Sequence, residues 1–186
     1  GAYGEMDGQV FVHEVIPKEE LGELVEFCER IPNVYFTLSA RSAAYYRVPP
    51  PWFGNRPPED SENALFRMRK IENIDEIPEE IYRIALYDPQ NPLYHSLPML
   101  QKQFGSRMNI VATDDESVDI MKPGINKGTG LAAMQSWMGI TPAETMVFGD
   151  YYNDIEMLDR AYYSYAVENA LDEVKEHCNF RAKSNR

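Results

Sequence analysis

The sequence predicts an α/β protein in two parts: an α/β unit built on a mostly antiparallel sheet with helices over residues 1–122, and a partial parallel-sheet unit over residues 123–186. Three observations carry this reading. From Gly124 onward helix and strand patterns alternate, which implies parallel pairing. Met108, Ile110 and Ala112 face Val118 and Ile120 across the polar run Thr113 to Ser117, a hairpin pattern. Leu21, Leu24, Val25, Cys28 and Ile31 recur at the spacing of an amphipathic helix. The change of pattern puts the boundary between the parts near Lys122 to Gly124.

In chain order, Val10 to Val12 reads as a strand, and Pro17 to Ile31 as a helix with Pro17 in its first turn and Pro32 beyond its end. Val34 to Ala40 and Ala44 to Val48 are strand patterns rich in Tyr, Phe and Thr. Pro49 to Asp60 holds six prolines and glycines and reads as a long loop. Leu65 to Ile71 alternates weakly, Ile77 to Glu80 resembles a helix start, and Ile81 to Tyr87 reads as a strand. Leu93 to Phe104 is a helix, interrupted or restarted at Pro98. In the second part, Gly128 to Met138 forms a helix with Leu131, Met134 and Met138 inward and Gly139 as its stop. Thr141-Pro142-Ala143-Glu144 is a capping box with proline at the first helical position. Strand Met146 to Phe148, a helix from Asn153 to about Asp159, strand Tyr163 to Val167 and a helix Asn169 to Cys178 complete the series.

Composition narrows the function. A hydrophobic content of 44% is ordinary for a globular chain, and a net charge of −12 argues against nucleic acid or anionic membrane as partner. Two cysteines, Cys28 and Cys178, allow neither a disulfide framework nor a cysteine-based zinc site, and the cytoplasm is the default location. No stretch approaches the length of a membrane span. The chain lacks an initiator Met and enters a strand pattern almost at once, so it reads as beginning inside a larger one.

The chemistry concentrates in Met146 to Leu158, MVFGDYYNDIEML. A buried strand ends at Gly149, which permits a sharp exit and leaves Asp150 at the carboxyl end, where parallel sheets bind ligands. Asn153 and Asp154 stand at a helix start, which favours anions and caps free N–H groups. Two carboxylates and an amide thus converge, and oxygen donors of this kind suit Mg²⁺. Upstream, Lys127 sits at a helix entrance between Asn126 and Gly128, placed to hold a phosphate together with free N–H groups. The string GINKGTG is not a P-loop, because there the lysine follows the glycine.

Taken in order, NKG, a helix, GI-TP-E, FGD-x-x-ND-x-x-ML and NA resemble the carboxy-terminal motif set of the haloacid dehalogenase superfamily, specifically its Cof-type phosphatases. Tyr3 to Met121 is similar to the large α/β cap of that branch, which sets substrate specificity, and residues 123–186 to part of its Rossmann-like catalytic core. The resemblance implies a Mg²⁺-dependent phosphomonoester hydrolase of small phosphorylated metabolites. Lys127 would steady the phosphoryl group, Asp150 would ligate Mg²⁺, and Asn153 would contact phosphate. Asp154 would orient metal waters or Lys127, and Asn169 would lie at the family's NA turn near the site. Glu168 departs from the glycine the family commonly carries there. Members also use an Asp-x-Asp motif, one aspartate attacking phosphorus and the other protonating the leaving oxygen, and this sequence contains none; Asp7-Gly8 only imitates its tail. The expectation is therefore an internal piece of a phosphatase, inactive alone, with weak Mg²⁺ affinity and an unpaired core strand edge, so that the core third is poorly ordered, self-associates with another copy, or is completed by residues outside this sequence. A phosphomutase of the same fold and a non-catalytic binding or assembly module are the alternative readings.

Weaker constellations remain. His13, His95 and His177 have no ligand spacing and read as ordinary histidines. Trp52, Phe53 and Arg56 in the proline loop, and the cap charges Arg47, Arg67, Arg69 and Lys70, are secondary candidates for reaching a substrate.

Overall fold

The computed structural model describes residues 1–49 and 67–183, so Trp52, Phe53, Arg56 and most of the proline loop lie outside the described residues. Near the start, Asp7 and Gly8 take φ values of 50° and 77°. Positive φ at both central positions is what a tight antiparallel turn requires, and Asp-Gly supplies it. The pair joins strand β1 (Tyr3–Met6) to strand β2 (Gln9–His13). The dipeptide that imitates a catalytic signature is therefore a hairpin turn.

Helix α1 (Lys18–Arg30) buries Leu21, Leu24, Val25 and Cys28, as the spacing predicts. Strands β3 (Tyr35–Ser39), β4 (Ala44–Tyr46), β5 (Met68–Lys70) and β6 (Arg83–Tyr87) follow. Helix α2 (Ser96–Phe104) leads to the predicted hairpin of β7 (Asn109–Asp114) and β8 (Ser117–Met121). They form a six-stranded sheet in the order β5-β4-β3-β6-β8-β7, antiparallel except for the β4–β5 pair. Alternation along the strands sends Leu38, Ile84, Leu86, Val118 and Ile120 into one core with Leu24, Cys28, Leu100 and Phe104 of the two helices. Each such aliphatic side chain contributes about 1.5–3 kcal/mol by leaving water. The opposite face, with Arg83 and Asp119, carries no helix in the apolar core among the described residues and becomes the roof of a cavity.

The expected helix start at Ile77 to Glu80 is not one. A capping box between Asn73 and Glu76 closes a 3-10 turn at Ile74–Glu76 instead, and Ile77 is extended at φ −76°, ψ 115°. Pro78 is the reason, since a residue before proline avoids the helical region.

In the second part, α3 (Lys127–Met138), β9 (Met146–Gly149), α4 (Ile155–Leu158), β10 (Tyr163–Val167) and α5 (Asp172–Glu176) alternate as predicted. A further strand, β11 (Phe180–Ala182), was not legible, and the sheet runs β11-β10-β9, all parallel. Gly139 stops α3 at φ 68°. Met138 is exposed rather than inward, and Gln135 takes the buried position, its Nε2 donating to Thr145 Oγ1 at 2.9 Å and to the Arg160 carbonyl at 3.2 Å. Helix α5 starts three residues later than expected because Val167 to Ala170 closes a turn, with the Ala170 N–H on the Val167 carbonyl at 3.0 Å.

The two parts touch. Phe11 of β2 stacks on Trp137 of α3 at 5.6 Å, and Asn109 Nδ2 donates to the Ile125 carbonyl at 2.6 Å. Tyr151 donates its hydroxyl to Asp115 at the β7–β8 turn, at 3.1 Å. The outer edge of β9 has no partner among the described residues. One face of the parallel sheet is also open: Met146 and Phe148 are exposed, and Phe148, Tyr165 and Phe180 stack in a row. Parallel sheets are ordinarily covered on both faces, so this face is an exception.

Candidate functional site

The site grows from the end of β9. A Cβ on Gly149 would stand 2.7 Å from the Asp154 Cβ, so only glycine lets the following turn fold back against the strand. The chain passes through Asp150 and Tyr151 into a 3-10 turn, Tyr152–Asp154, that runs straight into α4. Asp154 is 4% exposed, and its Oδ2 accepts the N–H groups of Asp150 at 2.9 Å and Tyr151 at 3.3 Å. Its Oδ1 accepts from Lys127 Nζ. Asp154 thus caps the loop that precedes it rather than its own helix, and of the two roles the resemblance implied it holds Lys127.

Lys127 is delivered by α3. The Asn126 side chain accepts the Thr129 N–H at 2.8 Å while Thr129 Oγ1 accepts the Asn126 N–H at 3.0 Å, a closed box that fixes the helix entrance. Gly128 lets α3 approach α4, because a Cβ there would meet the Glu156 carbonyl oxygen at 2.4 Å. Lys127 thereby reaches across to the β9 loop.

Asp150 stands beside this pair, with its backbone carbonyl accepting the Leu171 N–H at 3.1 Å from the loop after β10. Burial first, and then the adjacent Asp154 charge, hold its carboxyl above the usual carboxylate range, against an opposing pull from Lys127. A bound divalent cation would relieve that repulsion. Oxygen donors and one or two carboxylates are the set that Mg²⁺ accepts, so Asp150, with Asp154 behind it, fits the ion. Among the described residues no group of three or more His, Cys, Asp or Glu is placed to hold a metal, so further positions would fall to phosphate oxygens and water.

Lys127 and Asn153 also line a cavity of about 370 Å³ between the parallel unit and the face of the six-stranded sheet that carries Arg83 and Asp119. Asn153 Oδ1 is buried without a hydrogen-bond partner among the described residues. An unsatisfied buried amide is costly, and a half-turn of the group presents its NH₂ to an anion instead. The structure therefore brings Lys127, Asp150 and Asp154 together and places Asn153 on the same cavity as Lys127. Asn169 is exposed on the turn after β10, with no hydrogen bond to any of them among the described residues, and Glu168 beside it is exposed as well.

The roof holds residues the sequence reading missed. Arg83 Nη1 donates to Asp119 Oδ2 at 3.0 Å, and both line the cavity with Tyr82 and Asn109. Burial raises the Asp119 carboxyl, with Arg83 and then Lys127 pulling it down. The signal was a charged residue at a strand position facing away from the apolar core, readable only once the β6–β8 register is known. The secondary cap candidates lie elsewhere: Arg47 pairs with Glu29 at 2.7 Å and Lys70 with Glu72 at 3.2 Å on the surface. His13, His95 and His177 each bond a carboxylate, of Glu80, Asp88 and Asp159, at 2.9 Å.

Comparison with known proteins identifies the family and the fold. The profile of the haloacid dehalogenase-like hydrolases matches residues 1–186. The chain is 28% identical over 185 residues to a 5-amino-6-(5-phospho-D-ribitylamino)uracil phosphatase of Escherichia coli, covering all of this chain and 67% of that protein. Among solved structures, a Streptococcus mutans protein superimposes with a TM-score of 0.79 at 25% identity, over 100% of this chain and 69% of its own. A haloacid dehalogenase-like hydrolase of Bacillus subtilis gives 0.78 at 19% identity, over 97% and 71%.

Proposed function

We propose that this chain, which belongs to the haloacid dehalogenase-like hydrolases, carries the phosphate- and cation-binding half of a Cof-type phosphomonoesterase acting on small phosphorylated metabolites in the cytoplasm. The observation that carries the reading is the Lys127–Asp154 pair beside Asp150 at the carboxyl end of β9, with Lys127 and Asn153 in the wall of the neighbouring cavity. The Escherichia coli relative is named for a phosphate ester of this size class.

In this reading residues 1–122 act as the cap and 123–186 as part of the catalytic core. Lys127 offsets charge on the transferring phosphoryl group, as phosphoryl transfer requires. Asp154 keeps the ammonium aimed and, through the Asp150 and Tyr151 N–H groups, sets the loop that presents Asp150. Asn153 donates to a phosphate oxygen. Mg²⁺, held by Asp150, would supply the remaining charge compensation. The sequence holds no Asp-x-Asp, so the attacking carboxylate comes from outside these 186 residues. The open edge of β9 and its apolar face make self-association part of the same reading.

Phosphate release from a panel of phosphomonoesters, measured with and without Mg²⁺, tests this. The 186-residue chain alone should stay at background. A protein that joins these residues to an Asp-x-Asp segment should release phosphate only with Mg²⁺, and Lys127→Ala or Asp150→Asn should lower kcat by about a hundredfold or more. Turnover indifferent to both substitutions would overturn the reading, and an isomerised ester without free phosphate would mark a mutase instead.

A further inference from the structure

Two aromatic arms leave the loop between Asp150 and Asn153. Tyr152 points its hydroxyl at Glu173, 3.5 Å away beside α5, and Tyr151 sends its hydroxyl across to the roof, donating to Asp115 Oδ1 at 3.1 Å. The two rings meet edge to face at 5.2 Å, so each braces the other. The main chain of Tyr151 is held as well. Its N–H donates to Asp154 Oδ2 at 3.3 Å, and its carbonyl accepts the Asp154 N–H at 3.0 Å. Tyr151 is therefore fixed at its backbone to the residue that holds Lys127, and at its far end to the roof.

The acceptor is firmly placed. Asp115 sits at the tip of the β7–β8 turn, which the Glu116 N–H closes on Asp114 Oδ1 at 2.8 Å, while the Glu116 carbonyl accepts the Asp88 N–H at 2.6 Å. Strand β8 then runs into the core of the roof through Val118 and Ile120, both fully buried. Two other contacts between the parts lie away from Asp150. Trp137, which stacks on Phe11, is near the far end of α3, roughly 15 Å along the helix from Lys127, and Asn109 bonds the Ile125 carbonyl in the connecting segment. Tyr151 is the neighbour of Asp150 in the chain. Asp115 also carries a charge, between Asp114 and Glu116, and on charge alone it disfavours an anion at Lys127. Its hydrogen bond works in the opposite sense by holding the loop. Burial first, and then the Asp115 bond, push the Tyr151 phenol up to about 12, so the hydroxyl remains a donor throughout the neutral range.

We propose that Tyr151 is a positioning residue: its bond to Asp115 ties the roof to the loop from Asp150 to Asp154 and holds that loop in the form that binds Mg²⁺ and phosphate. This rests on the reading of Lys127, Asp150 and Asn153 as the phosphate and cation site. Such coupling is reciprocal, so a tie that strengthens ligand binding is itself strengthened, by the same factor, when ligand binds.

Inorganic phosphate is titrated by calorimetry into the full chain in Mg²⁺, as wild type, Tyr151→Phe, Asp115→Ala and the double variant. Tyr151→Phe keeps the ring and removes the hydroxyl, and Asp115→Ala changes an exposed turn residue. Each single variant should weaken phosphate binding about fivefold, the low end of coupling between sites, and the double variant should lose no more than either single. Amide hydrogen exchange in the β7–β8 turn should slow about fivefold when Mg²⁺ and phosphate are added to the wild type, and should not respond in Tyr151→Phe. Circular dichroism confirms that the variants are folded. Four results each overturn the proposal while leaving the phosphate site intact: unchanged affinity in Tyr151→Phe, tighter binding in Asp115→Ala as charge alone dictates, additive losses in the double variant, or turn exchange that ignores ligand in the wild type or responds equally in Tyr151→Phe. Failure of inorganic phosphate to bind the wild type overturns the site reading itself, and the proposal with it.

Discussion

Asp154 has both oxygens engaged, by an ammonium and by two backbone N–H groups, and is almost fully buried. Removing it strands three donors at once. Asp154→Ala should cost about 2 kcal/mol, the range for charge-assisted hydrogen bonds, and lower Tm by roughly 5 °C in a scanning calorimeter. Asp150 behaves in the opposite sense. Its raised carboxyl pKa means the folded chain binds a proton more tightly than the unfolded chain, so stability falls as pH rises from the ordinary aspartate value, about 3.9, through the folded one. Asp150→Asn lacks that loss. Without Mg²⁺ it should melt higher than wild type at neutral pH, with the gap closing in acid below the ordinary aspartate value. Wild type alone should then gain Tm when Mg²⁺ is added. A variant that melts lower at pH 7 would show that Asp150 is not held against repulsion. Lys127, Asp150 and Asp154 were legible as a trio because each sits in a short motif whose residue types have few other uses. Arg83 and Asp119 were not, since a lone charge in a strand has no motif and acquires its partner only through pairing.

Among the elements, those with strong periodicity or proper caps were readable, and α1, the β7–β8 hairpin and the α3 stop at Gly139 fall where the pattern puts them. The failures have local causes. Pro78 keeps Ile77 extended, and the short β11 forms because Asn179 is steered by Ser164 and the Tyr162 carbonyl, bonds of 3.1 and 2.8 Å that no pattern announces. The junction between β9 and α4 depends on the missing side chain of Gly149. Gly149→Ala should push Asp154 from its loop and weaken phosphate binding about tenfold or more, a loss comparable to removing one charged hydrogen bond. Titration that finds phosphate affinity unchanged in Gly149→Ala would show that this close approach does not position the site. The open face of β9 leads to a second outcome at this scale. Sedimentation should find concentration-dependent association of the wild-type chain, and Phe148→Lys, which places a charge in the apolar row, should abolish it.

At the scale of the whole molecule, a helix-covered antiparallel sheet supplies a roof and a parallel unit supplies a floor, joined by Phe11–Trp137, Asn109–Ile125 and Tyr151–Asp115. Tyr151 is the most telling of these. Its N–H bonds Asp154 and its hydroxyl bonds the roof, and burial with the Asp115 bond pushes the phenol up to about 12. The two cysteines report on the packing of the two parts separately. Cys28 is buried in the roof's core, its thiol pushed up to about 12 by burial, whereas Cys178 is half-buried under the floor. A thiol reagent at pH 8 should label Cys178 in the native chain and Cys28 only as fast as the roof unfolds. The central claim is that Lys127, Asp150 and Asp154 jointly bind a phosphate and a divalent cation. Calorimetric titration of inorganic phosphate into the chain, with and without Mg²⁺, tests it most directly. The account predicts binding that strengthens with Mg²⁺, loses that Mg²⁺ dependence in Asp150→Asn, and disappears in Lys127→Ala; phosphate binding that ignores Mg²⁺ and survives both substitutions would contradict it.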